Sequence, residues 1–187
     1  MYFNMNYSKD WLKKRFADNN PVEFLFFWGH QPSRDGSIIK TCMSQWWPAN
    51  FEEEGIVYKT AEHYMMAGKA RLFGDQENLE RILSKVSPKD AKDLGRQVNN
   101  FDAEVWDQHK YHIVVKANVL KFSQNPELKA FLLNTGSKVI VEAAPRDVIW
   151  GIGLGAENPK SQHPDTWRGR NLLGFALMEV RDELRKE

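Results

Sequence analysis

Two short signals divide the middle of this chain into separate helices and so limit what it can fold into. Ser87-Pro88 and Asn125-Pro126 each set a capping side chain directly before a proline. Proline's fixed φ and missing N–H suit the first turn of a helix and no interior position. One helix therefore runs from Lys89 to Gln97, and another follows Pro126-Glu127 to Leu133 before Gly136 ends it. Between them, residues 101–123 read as one long helix whose apolar surface comes from Val105, Tyr111, Val114, Val115, Val119, Leu120 and Phe122. Gln76 to Lys85 and the closing stretch Asn171 to Arg185 are amphipathic, and Ser8 caps a short helix from Lys9 to Ala17.

The strand signals are few. Glu23 to Trp28 is an apolar aromatic run bounded by turn residues, Ile56 to Tyr58 follows a turn at Glu54-Gly55, and Lys138 to Ala143 alternates. A hairpin is expected about Asp35-Gly36. Ala144 to Arg170 has no periodicity, which is long for a compact domain and marks a functional loop. The expected architecture is helix-rich α+β with a few short strands, in a single domain without repeats or linkers.

The charge balance argues against a global basic field and leaves a local basic patch open. Twenty-six basic and 25 acidic residues leave a net charge of +1, so no global field drives duplex binding through phosphates. Cys42 is the only cysteine, which rules out an intrachain disulfide and fits a reducing compartment. There is no signal-like N-terminus and no run of about 20 apolar residues. A cytoplasmic protein that does not engage the membrane is the expectation.

The stretch Thr60 to Phe73 reads as a helix capped by Thr60. At about 100° per residue, Glu62, Met65, Met66, Lys69 and Phe73 share one side. That side sets a carboxylate and an amine into an apolar stripe facing the interior. Taken alone, Glu62 is favoured by the helix dipole and Lys69 can snorkel to water. Other motifs carry less. The glycines at 151, 153 and 155 lack the dinucleotide spacing, although backbone amides there can cradle a phosphate. Glu62-His63 lacks the second histidine of a zincin helix, and His109 with His112 has no third ligand type beside it. No metal or other cofactor is expected.

The residues Phe26-Phe27-Trp28-Gly29-His30, Ser44-Gln45-Trp46-Trp47-Pro48, Thr60-Ala61-Glu62-His63-Tyr64 with Lys69, Lys121-Phe122, Asp147 to Gly151, and Asn171-Leu172-Leu173-Gly174 occur in that order. This ordered set resembles the YbiA-like, or NADAR, family, over about Glu23 to Arg185. The resemblance implies an N-glycosidase acting at a ribosyl C1 carbon. Some family members cleave early riboflavin-pathway intermediates to ribose 5-phosphate and a pyrimidine, and others remove ADP-ribose from guanine bases. The expected partner is therefore a small ribosyl phosphate or ADP-ribosylated guanine in nucleic acid.

The same resemblance places the family's functional helix residues on Glu62 and Lys69, its late-loop aspartate and tryptophan on Asp147 and Trp150, and its asparagine on Asn171. Glu62, Lys69 and Asp147 are the expected catalytic residues. Trp28, Gly29, Ser44, His63, Gly151 and Asn171 lie in the shared motifs and are expected to bind substrate. The chemistry suits these residue types. Cleavage develops positive charge on the ribosyl ring, which a carboxylate such as Glu62 stabilises, or the carboxylate activates water. A desolvated amine such as Lys69 can instead attack C1 and hold the opened sugar as a Schiff base. Trp46, Trp47 and Trp150 are candidates to stack on the base, and Arg96 or Lys121 to meet a phosphate. The rival readings are a non-catalytic module that binds ADP-ribose or a nucleotide, and a protein-interaction domain with an exposed apolar patch.

Overall fold

The computed structural model describes residues 5–186. In chain order the regular elements are α1 (Lys9–Ala17), β1 (Phe24–Phe27), β2 (Phe51–Glu53), β3 (Ile56–Tyr58), α2 (Ala61–Leu72), α3 (Gln76–Ser84) and α4 (Pro88–Gly95). They are followed by α5 (Ala103–Ser123), α6 (Pro126–Asn134), β4 (Val139–Glu142) and α7 (Leu172–Leu184). Seven helices and four short strands among the described residues make this the helix-rich α+β fold expected. No helix among them is long and apolar enough to cross a membrane. The chain forms two compact units, Gln45–Pro126 and residues 5–44 together with 127–186.

In the unit formed by residues 45–126, β2 and β3 pair antiparallel with Phe51 opposite Tyr58. Their turn takes Glu54 and Gly55 to φ values of 52° and 78°, the conformation that matches the natural twist of a tight hairpin. Helix α2 packs against α3, α4 and α5. It is not an amphipathic helix with one buried stripe. Nine of its twelve residues are buried, including Tyr64 and Ala67 on the side away from Glu62, because neighbouring helices cover it on several sides. Gly95 permits the close approach of α4: a Cβ there would lie 2.0 Å from the Met66 sulfur. The start of α5 is fixed by Asp102, whose carboxylate accepts the backbone N–H of Glu104 and Val105. That cap leaves Phe101 outside the helix, where the apolar periodicity had included it.

In the other unit, β1 and β4 pair in parallel, from Phe24 opposite Val139 to Phe27 opposite Glu142. Helix α7 packs on β4 and is buried along most of its length. The hairpin expected about Asp35-Gly36 does not form, since no strand flanks the turn. Asp35 instead closes the loop on itself, accepting the Ser37 N–H at 3.0 Å and hydroxyl protons from Ser33 and Ser37. A 3-10 helix, Lys40–Met43, follows. The aperiodic stretch after β4 is tied down by its backbone. The N–H groups of Arg168 and Gly169 both donate to the Ile152 carbonyl, and that of Arg170 to Val148. Two short 3-10 turns, Pro159–Gln162 and Pro164–Thr166, fill the remainder.

Candidate active site

The first turn of α2 carries the carboxylate. Thr60 caps the helix by accepting the His63 N–H, and Thr60 Oγ1 is also hydrogen-bonded to His63 Nδ1 at 2.8 Å. Burial, and after it the Lys59 charge, push the His63 imidazole below its ordinary pKa. Glu62 is only 2% exposed, so dipole stabilisation at a solvated helix start does not describe it. Its backbone N–H donates to the Gln45 carbonyl at 2.9 Å. The Gln45 side chain is buried as well, and its Oε1 accepts from Asn118 Nδ2 at 2.8 Å. Gln45 Nε2 and Asn118 Oδ1 have no hydrogen-bond partner among the described residues. A buried donor and a buried acceptor left unsatisfied are costly, and they lie on residues that Glu62 is tied to through Gln45.

Two turns further along α2, about 10 Å of rise, Lys69 is 9% exposed. It does not snorkel. Its ammonium donates to the Gly95 carbonyl at 2.7 Å and lies 4.0 Å from the Phe101 ring centroid. Desolvation lowers its pKa below the ordinary lysine value. Helix α2 thus holds both charged candidates in buried surroundings, one at each end.

The other expected residues of this unit differ in their settings. Trp47 is buried, whereas Trp46 is half-buried with the Lys92 ammonium 5.7 Å from its ring. Arg96 caps the end of α4 and pairs with Asp93 at the surface. Lys121, expected to meet a phosphate, is 0% exposed with its ammonium 5.0 Å from the Phe122 ring. A cavity of about 450 Å³ opens on the opposite side of α2, between Tyr58, Tyr64, Arg71, His109, His112 and Lys116. It contains none of the expected site residues.

In the unit of residues 5–44 and 127–186, Asp147 organises the late loop. Its Oδ1 accepts the N–H groups of Ile149, Trp150 and Gly151 at 2.9, 2.8 and 3.4 Å. That grip sets the direction of Trp150, which is half-buried. Gly151 passes so close to the Glu142 carbonyl that a Cβ would stand 2.9 Å from it. Asn171 precedes α7 in the left-handed conformation and makes no side-chain cap. Its side chain instead bridges to β4: Nδ2 donates to Ile140 O and Oδ1 accepts from Glu142 N, each at 2.9 Å. Trp28 follows β1 and is 61% exposed, Gly29 beside it turns with φ 81°, and Ser44 ends the 3-10 helix.

The sequence reading did not single out Asn118, Phe101 or Trp106. A signal for Asn118 existed: it lies four residues after Val114 and four before Phe122, a polar side chain on the apolar face of α5. For Phe101 and Trp106 no local signal marks a contact with a lysine 32 and 37 positions away.

The pattern of the NADAR domain matches residues 26–185. The chain belongs to the NADAR family. N-glycosidase R617 of Acanthamoeba polyphaga mimivirus is 46% identical over 166 residues, covering 86% of this chain and 96% of that protein. N-glycosidase YbiA of Escherichia coli (strain K12) is 33% identical over 138 residues, covering 74% of this chain and 76% of YbiA. The NMR structure of E. coli YbiA matches with a TM-score of 0.68 at 28% identity, over 89% of this chain and 88% of that one. The family and fold expected from the ordered motifs are therefore both met. The expected class of enzyme, a hydrolase of N-glycosidic bonds, agrees with the names of these NADAR relatives.

Proposed function

We propose that this NADAR chain hydrolyses the N-glycosidic bond of a phosphorylated ribosyl compound. The two candidate substrates are a riboflavin-pathway intermediate, which would yield ribose 5-phosphate and a pyrimidine, and ADP-ribosylated guanine, which would yield ADP-ribose and the unmodified guanine. The observation that carries the reading is the buried Glu62, whose backbone N–H is held by the Gln45 carbonyl next to an amide pair with an unused donor and acceptor. As the base departs with the bonding electron pair and takes up a proton, positive charge grows on the ribosyl ring. Glu62 offsets that charge or accepts a proton from the attacking water.

Lys69 offers a second route to the same products. Its neutral amine attacks C1, the base leaves, the sugar ring opens to an iminium, and water hydrolyses that link to return the amine. Asp147 serves in this reading by holding the Trp150 loop. One domain, running through both compact units as the family pattern does, is the proposed functional body.

The test incubates the protein with ribosylated pyrimidine intermediates and with ADP-ribosylated guanine, and follows the released pyrimidine or ADP-ribose by chromatography. Turnover of one substrate class supports the reading and selects the substrate. ADP-ribose binding by calorimetry, with no turnover of any conjugate, would instead support a binding module. Borohydride trapping of a covalent adduct in wild type, absent from Lys69→Met, would select the amine route over direct attack by water.

A further inference from the structure

The Lys69 ammonium sits in a box whose walls come from the end of α4 to the first turn of α5. The Gly95 carbonyl accepts its N–H at 2.7 Å, the Phe101 ring centroid lies 4.0 Å away, and that of Trp106 5.7 Å away. Phe101 is itself held by Phe73 at the end of α2, edge to face with centroids 5.4 Å apart. Several charged groups on the surrounding elements are engaged elsewhere. On α4, Asp93 pairs with Lys89 and Arg96, while Lys92 lies over Trp46. Asp102 caps α5, and Asp107 pairs with Lys110. On α2 itself, Arg71 donates to the Tyr58 hydroxyl and Glu62 lies two turns away. Burial is the one cause that shifts the titration of Lys69.

We propose that Phe101, with Trp106 beside it, is a positioning residue for Lys69: the ring faces stabilise its ammonium in a buried site and hold it against the Gly95 carbonyl. A cation over an aromatic face is attracted by the ring quadrupole, and the attraction grows when water is excluded. The rings and the burial therefore act in opposite directions on the same proton, and their balance decides when the amine is free to attack. The step from box to catalysis rests on the nucleophilic role proposed for Lys69; the box itself does not.

The experiment titrates the Lys69 ε-methylene by NMR in the full chain carrying labelled lysine, with Lys69→Arg used to assign the signal. Phe101→Leu keeps the apolar bulk but removes the ring face, and Phe101→Tyr restores a face. Phe101 is 46% exposed, so neither variant disturbs a closed core. In Phe101→Leu the Lys69 pKa is expected to fall by about half to one unit, with Phe101→Tyr close to wild type. No fall in Phe101→Leu, or equal shifts in both variants, would overturn the box.

The pH dependence of kcat/KM provides the second readout. With a neutral amine as nucleophile, the acidic limb moves to lower pH in Phe101→Leu and returns in Phe101→Tyr. If Lys69 titrates as expected while the limb stays in place, the box stands and the nucleophilic role of Lys69 falls.

Discussion

The Gln45 carbonyl accepts the Glu62 N–H at 2.9 Å, which fastens the segment ahead of the β2–β3 hairpin to the first turn of α2. Because Gln45 also holds Asn118 through its side chain, three polar residues from separate segments meet around one helix end. These bonds fix the backbone from which the buried Glu62 side chain projects.

Replacing Glu62 by Gln preserves shape and removes the charge. Release of pyrimidine or ADP-ribose is expected to fall by about 100-fold or more, with an unchanged thermal midpoint. Equal turnover by Glu62→Gln and wild type would remove Glu62 from the chemistry.

Lys69 links activity to stability through pH. Burial lowers its pKa below the ordinary 10.5, so between the two values the unfolded chain binds more protons than the folded one. The cost of burying the charge is then full below the folded pKa and is gone once the pH exceeds 10.5. Lys69→Met is expected to be inactive by the amine route and more stable than wild type by about 1 kcal/mol near neutrality. Urea titrations at several pH values should show that difference shrinking as the pH rises. A less stable Met variant near neutrality would mean that the Gly95 bond and the rings outweigh desolvation.

Gly95 sets the distance between α2 and α4. A methyl group there would meet Met66 Sδ at 2.0 Å, so Gly95→Ala should cost about 1–3 kcal/mol through overpacking. The partner is a flexible side chain, and the double variant with Met66→Ala should recover part of the loss. Additive losses in a double-mutant cycle would show that the two positions do not compete for that space.

Asn171, expected to bind substrate, should prove structural first. Alanine there strands the Ile140 carbonyl and the Glu142 N–H and must keep φ near 56°. The expected loss is about 3–5 kcal/mol in chemical denaturation. A variant as stable as wild type but inactive would reverse that assignment.

The sequence alone determined several helix starts, the α+β class and the family. Ser8, Thr60 and Ser87 cap helices within their own first turns, and such signals act over three or four residues of chain. The ordered motifs identified the helix that carries Glu62 and Lys69 for the same reason, since each motif is local.

Tertiary structure decided what surrounds those residues. The bonds that define the candidate site span 26 positions from Lys69 to Gly95 and 73 from Gln45 to Asn118, and the bridge from Asn171 to Ile140 spans 31. A side chain such as Asn171 can serve either its cap position or a strand's backbone with the same atoms, and the packing of α7 on β4 selects the strand. Periodicity likewise showed one buried stripe on α2, because it measures apolar residues and not how many neighbouring helices will cover them. Burial from several sides is what turns Glu62 and Lys69 from ordinary helix charges into groups held out of water.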